Sequence, residues 1–381
     1  MKYINTINCL TLILALCTGC RKDLPINEST KTQIGDTTNS AVAGFYLLNE
    51  GTMGSNKATL DYYNYSAPGT YHRNIFSEIN PTLVASLGDI GNDLQVYGQR
   101  LYAVINGSNL IEVMNVANAG HIGKINIPNC RYIVFNDGKA YVSSFAGPVE
   151  TGNSQQGYIS EIDTATLSVL RTVVVGYQPE EMAVVNGKLF VANSGGYDPT
   201  MYDNTLSVVD LETFREEEKI TVGINLHRVR TVGNGRLYVS SRGNYADIPS
   251  SIYVVDTETR QVVKRLDVTC NNLCIQGDTA YVISSEGSYE TGLTYLYNLI
   301  DTRNDVVLPN SFITDGTAAN IQTPYGIAIH PVTGNVFITD VGNYILSGKL
   351  YCFSPDGTFK WLVTTGDIPS IIAFHYKTGT K

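Results

Sequence analysis

The side chains best suited to catalysis are dispersed in this sequence. His72, His121, His227, His330 and His375 are scattered along the 381-residue chain. An isolated histidine reads as a hydrogen-bonding group rather than a base, because a base needs a positioned reacting partner. The sequence holds no G-x-S-x-G, no H-E-x-x-H and no phosphate-cradling P-loop. Glu180-Glu181 could form a coupled carboxylate pair, but neighbours on an extended chain point opposite ways. Tyr202-Asp203-Asn204 offers oxygen ligands to a cation, outside any EF-hand pattern. Cys270 and Cys274 are too far apart for a disulfide on an extended segment. With Cys130 and Cys352 they read as small buried residues. The expectation is a protein that is not an enzyme and has neither metal nor cofactor.

What recurs instead is aromatic, amide and guanidinium chemistry at equivalent places, and a repeat must position it. Residues 181–223 read as four short strands. Asn186-Gly187 is a type I′ hairpin signal, because both central residues of that turn need positive φ. Asp210 ends the third strand, and its carboxylate can bind backbone N–H groups just ahead. The second-strand anchor recurs as Leu101-Tyr102, Ala140-Tyr141, Leu189-Phe190, Leu237-Tyr238, Ala280-Tyr281 and Val336-Phe337. Third strands end at Asn115, Asp163, Asp210, Asp256 and Asp301, spaced by 45–48 residues. That period, with four strands per unit, predicts an all-β fold, a seven-bladed β-propeller of four-stranded antiparallel blades. A β-sandwich is the alternative. Units are expected at about 93–127, 131–175, 181–222, 228–268, 273–313 and 325–363. A first unit at 44–76 lacks its opening strand. Residues 370–376 at the other end of the chain are expected to supply it, closing the ring and removing exposed edges. Trp361, the only tryptophan, is expected to pack between blades.

The formal net charge of −9 and the absence of basic runs beyond the N-terminus argue against nucleic acid and anionic membrane surfaces as partners. Residues 1–19 read as a signal peptide, with Lys2 and a short apolar run at 10–16 that cannot span a bilayer. Leu16-Cys17-Thr18-Gly19-Cys20 is similar to a bacterial lipoprotein cleavage site, with Cys20 as the lipidated residue and Cys17 departing from the pattern. Residues 20–41, rich in Thr, Ser and Asn, are expected to be a flexible tether, and 42–381 a single propeller domain. Attachment to the membrane is expected through the lipid anchor alone, on an outer membrane and facing outward.

In an up-down blade, the loops from second to third strands and the connections between units emerge on one face. The short 1–2 and 3–4 turns take the other. Loops on a rigid scaffold are where function concentrates. From the connections the candidate ligand-binding residues are Arg131, Tyr132, Tyr177, Gln178, His227, Arg228, Asn272 and Tyr325, expected nearest the channel. From the longer loops they are Phe145, Tyr197, Tyr202, Tyr245, Tyr289 and Tyr344, expected to form an outer wall.

Val175-Gly176-Tyr177-Gln178-Pro179 between units, with Val-Val-Asp-Thr third-strand ends, resembles the YncE-like, surface-layer-like seven-bladed propellers over most of 44–376. More narrowly, Leu48-Asn49-Glu50-Gly51 followed by Ala58-Thr59-Leu60-Asp61-Tyr62-Tyr63, behind a lipoprotein signal, resembles the BtuG group. These are surface lipoproteins that capture cobalamin and pass it to a TonB-dependent outer-membrane transporter. The resemblance implies cobalamin or a related corrinoid as ligand, never as cofactor, and such a transporter as partner. A carbohydrate- or other small-ligand-binding propeller would use similar loops. A lactonase would need a metal and acids at the channel mouth, and a purely structural surface protein would not need polar aromatic residues gathered on one face.

Overall fold

The computed structural model describes residues 29–38, 40–83, 86–149, 151–152, 155–288 and 292–377. Seven antiparallel sheets form a β-propeller, six with four strands and one with five. Blade 1 is built on Val42–Asn49, Thr59–Asn64 and Thr70–Arg73. Blade 2 spans 91–126, blade 3 130–177, blade 4 179–221, blade 5 226–266, blade 6 272–311 and blade 7 324–367. Each boundary lies within a few residues of its expected place.

The turn chemistry follows the sequence. Asn186 and Gly187 take φ of 50° and 73°, the pair of left-handed residues that a type I′ turn demands. Asp210 Oδ1 accepts the N–H and hydroxyl of Thr213 at 2.6 and 2.7 Å. Asp163 does the same with Thr166, and Asp256 with Thr259. These turns shape the lower face.

The ring closes as expected. Pro369–Tyr376 is the innermost strand of blade 1 and runs antiparallel to Val42–Asn49, with Gly44 opposite His375 and Asn49 opposite Pro369. Trp361 of blade 7 stacks on Tyr63 of blade 1, centroids 5.2 Å apart. Three features differ from expectation. Thr30–Gln33, inside the stretch read as a tether, forms a fifth outer strand paired with Thr70–Arg73. The first unit's last strand stops at Arg73, and Ile75–Ile79 is a short helix packed between blades 1 and 2. The blade 6 hairpin, Thr279–Ser288 and Gly292–Asp301, has ten residues in each strand. It carries strand structure into residues expected to be loop.

Candidate ligand-binding site

The residues that face the channel sit at a local irregularity repeated around the ring. Inner strands begin normally and then slip. Arg131-Tyr132 oppose Ser143, Glu180-Glu181 oppose Ala192, His227-Arg228 oppose Ser240, and Tyr325-Gly326 oppose Thr339. Blades 1 and 2 carry an extra inner residue at the same level, Ser370 and Asn92. Two residues against one is a β-bulge, which re-aims side chains and leaves a backbone group to be satisfied. Ser143, Ser240 and Thr339 provide that partner, each accepting the N–H of the second bulge residue at 3.1, 2.9 and 2.7 Å. Neighbouring blades complete it: Asp93 accepts the Ile133 N–H and Glu181 the Val229 N–H. Gly326 stands where other blades carry Tyr132 or Arg228, because a Cβ there would meet the Ser370 carbonyl at 1.9 Å.

Above these bulges lies an open concavity of about 880 Å³ on the face predicted to carry the variable loops. Arg131, Tyr132, His227, Arg228, Asn272 and Tyr325 line it from the connections, and Tyr197, Tyr245 and Tyr344 from the loops. Arg131, Tyr132, His227, Arg228 and Asn272 are buried, whereas Tyr197, Tyr245 and Tyr344 keep 53, 66 and 46% of their surface exposed.

Five candidates stand apart. Phe145 is buried beneath the wall, 4.8 Å under the Arg131 guanidinium and edge-on to Tyr197. Gln178 is buried, and its Oε1 accepts the Tyr197 N–H at 2.8 Å, so it holds a loop. Tyr177 is not a lining residue, and its N–H is tied to Asp203. Tyr202 is half-buried off the concavity. Tyr289, like Cys20 and the signal segment, falls outside the described residues. Asp203 also binds the N–H and hydroxyl of Thr205, which commits its oxygens to the loop turn.

Sequence reasoning missed Glu50, Asn92, Asn106, Arg242, Glu286 and Tyr295, which also line the site. Glu50, Asn106, Arg242 and Glu286 are the first residues of their second-to-third loops or the corresponding hairpin positions. That shared position was a usable signal. Adjacent polar residues opening an inner strand, Asn92-Asp93 and Glu180-Glu181, were a second.

The floor is a charged network. Glu180, fully buried, accepts Arg131 through Oε2 at 2.9 Å and Arg242 through Oε1 at 3.1 Å. Glu181 faces another way and takes Arg228 and Arg230. The two carboxylates do point apart, and guanidiniums occupy both. Burial pushes the Glu180 carboxyl up, but Arg131 and Arg242 outweigh it and hold it below the usual range. Arg228 donates to the Tyr132 oxygen at 3.2 Å, so the Tyr132 hydroxyl donates to His227 Nε2 at 2.9 Å. His227 accepts that bond as a neutral ring. Burial and the surrounding Arg242, Arg228, Arg131 and Arg230 hold its pKa well below the ordinary value. Elsewhere on the wall, Tyr325 donates to Glu50 at 3.3 Å. Burial pushes the Glu50 carboxyl up to about 7, against opposing hydrogen bonding from Tyr325.

Among the described residues, Cys130, Cys270, Cys274 and Cys352 are free thiols. Among the described residues, no helix is long and apolar enough to cross a membrane.

A family described as a domain of unknown function, DUF5074, matches residues 43–355. No curated protein sequence gave a significant match. Three solved structures illustrate the likeness of fold. A hypothetical selenium-binding protein from Sulfolobus tokodaii superposes with a TM-score of 0.61 at 12% identity, covering 87% of this chain and 93% of that one. A quinonprotein alcohol dehydrogenase-like protein from Bacteroides thetaiotaomicron gives 0.60 at 15%, covering 88% and 79%. Hydrazine synthase from Kuenenia stuttgartiensis gives 0.56 at 14%, covering 70% and 77%. At such identities the likeness concerns the propeller alone.

Proposed function

The chain belongs to the DUF5074 family, and on that premise we propose that it is a cell-surface receptor that binds a corrinoid such as cobalamin without chemically changing it. One observation carries the reading. A single wide concavity combines exposed tyrosines at its rim with amides and guanidiniums on its floor. A corrinoid is broad, has flat faces and is edged with amides. Tyr197, Tyr245 and Tyr344 offer rings for its faces. The Asn92 and Asn106 amide nitrogens are donated within the protein, which leaves their Oδ1 atoms to accept from the amides of its rim. The buried bulges give the floor a fixed shape, which lowers the ordering cost of binding.

The resemblance of 48–63 to the BtuG group supports the same reading, and with it delivery to a TonB-dependent outer-membrane transporter. We place the protein on the outer membrane through acyl chains on Cys20, which would anchor it by roughly 0.8 kcal/mol per buried CH₂. Calorimetric titration with cobalamin, cobinamide and a panel of glycans tests the ligand. Saturable corrinoid binding supports the proposal, and a response to glycans alone replaces it with the carbohydrate receptor. Cys20→Ala should move the protein out of the membrane fraction, and its retention there would remove the lipid anchor from the account.

A further inference from the structure

We propose that the floor of the concavity between blades 3 and 5 is an oxyanion subsite, formed by Arg131, Arg228 and Arg242, which receives a phosphodiester or carboxylate of the ligand. This deepens the corrinoid reading and rests on it for the identity of the whole ligand.

Arg131, Arg228, Arg230 and Arg242 contact two carboxylates, Glu180 and Glu181. Glu181 is shared further with the Val229 N–H. Arg228 is the least satisfied of them. It is 7% exposed, its contact with Glu181 is 3.4 Å, and its other acceptor is the neutral Tyr132 oxygen at 3.2 Å. Its Nε–H is buried without a partner. A buried cation with incomplete hydrogen bonding is costly unless something compensates it. Two other carboxyl groups lie within electrostatic reach but are engaged elsewhere. Glu50 takes the Tyr325 hydroxyl, and Asp93 takes the N–H groups of Leu94 and Ile133.

The surroundings fit an anion. His227 sits among these arginines as an uncharged ring, so it does not add to the repulsion among them. The Arg131 guanidinium carbon lies 4.8 Å over the Phe145 ring and that of Arg228 5.5 Å over the Tyr132 ring, contacts that help to hold both groups in place. A planar, fixed fork suits the geometry of phosphate and carboxylate oxygens. Cobalamin carries one phosphodiester in its nucleotide loop and cobinamide carries none. The subsite therefore predicts discrimination between them.

The test has two arms. In the first, the wild-type protein is melted with dimethyl phosphate, acetate or chloride at equal ionic strength. Either oxyanion should raise the melting temperature beyond chloride in the wild type and not in Arg242→Gln. A larger shift with dimethyl phosphate names the phosphodiester as the group held, and a larger one with acetate names a carboxylate. In the second, cobalamin and cobinamide are titrated into wild type, Arg242→Gln and Arg228→Gln. Cobalamin affinity should fall at least ~10-fold and cobinamide affinity less than ~2-fold. Arg242 is the less buried of the two, so its variant keeps the test intact if Arg228→Gln does not fold. No oxyanion-specific shift, or equal losses for the two corrinoids, would overturn the subsite. If neither corrinoid binds the wild type, the corrinoid reading fails while the first arm still decides the subsite.

Discussion

At the scale of single residues, buried His227 and half-buried Glu50 titrate in opposite senses. His227 stays neutral in the folded protein at a pH where an unfolded histidine is protonated. The unfolded state therefore binds the extra proton, and His227 lowers stability as pH falls below about 6.5. Glu50 behaves the other way. Its folded pKa of about 7 lies above the unfolded value, so the folded state holds the proton between about 4.5 and 7. Its contribution is fully present at the acid end and is lost as pH rises through 7. Melting curves from pH 5 to 8 should separate them. Glu50→Gln should melt above wild type at pH 8 and converge with it near pH 5. His227→Gln should flatten the acid-side fall that His72, His330 and His375, also held low by burial, leave in place. Parallel curves for wild type and both variants would remove these assignments. Arg131 is ion-paired with Glu180 in the floor, so Arg131→Ala leaves a buried carboxylate with Arg242 alone and should cost roughly 3 kcal/mol of stability, read as a lower melting temperature.

At the scale of elements, the seam between blades 1 and 7 carries a strap. Beyond Thr30–Gln33 the chain places Asp36 beside blade 7, where its Oδ2 accepts the Trp361 Nε1–H at 2.8 Å and pairs with Lys360. Tyr63 of blade 1 donates to the Asp36 carbonyl. The strap thus ties together the two blades that ring closure must join. Asp36→Ala should cost about 1–2 kcal/mol, read as a shift in the urea midpoint with an unchanged slope. Deleting 368–381 should be far worse. It removes the inner strand of blade 1 and opens the ring, and a truncated protein that melts like wild type would refute the closure. The closing strand was legible because residues 370–376 formed an opening strand with nothing after it. The strap was not, because T-K-T-Q on an outer edge is wholly polar and its pairing partner lies about 40 residues on. Composition there says tether, and only the tertiary partner says strand. The blade 6 extension escaped for a similar reason. From Gly292 to Tyr295 exposed residues alternate with only half-buried ones, so the tip of the hairpin has no fully buried face to impose a strong apolar pattern.

At the scale of the whole molecule, the repeat made the fold readable and the bulges made the site. All the candidates were inferred from the blade plan, as residues of the connections or of the second-to-third loops, and nine of them line one concavity. Tyr177 and Gln178 sit just ahead of the bulge, where the chain is still crossing between blades, and Phe145 turns inward to support Arg131. A bulge shifts facing by one residue, and period-2 reasoning cannot see it without the register. The central claim is that this concavity binds a corrinoid through its rim tyrosines and polar floor. Tyr197 and Tyr245 are exposed at the rim, so replacing both with alanine should leave the melting temperature within a degree or two. Calorimetric titration of cobalamin into wild type and this double variant is the most direct measurement. The account predicts saturable binding to the wild type and at least ~30-fold weaker binding to the variant, about 2 kcal/mol. Absence of binding to the wild type, or equal affinity in the two proteins, would contradict it.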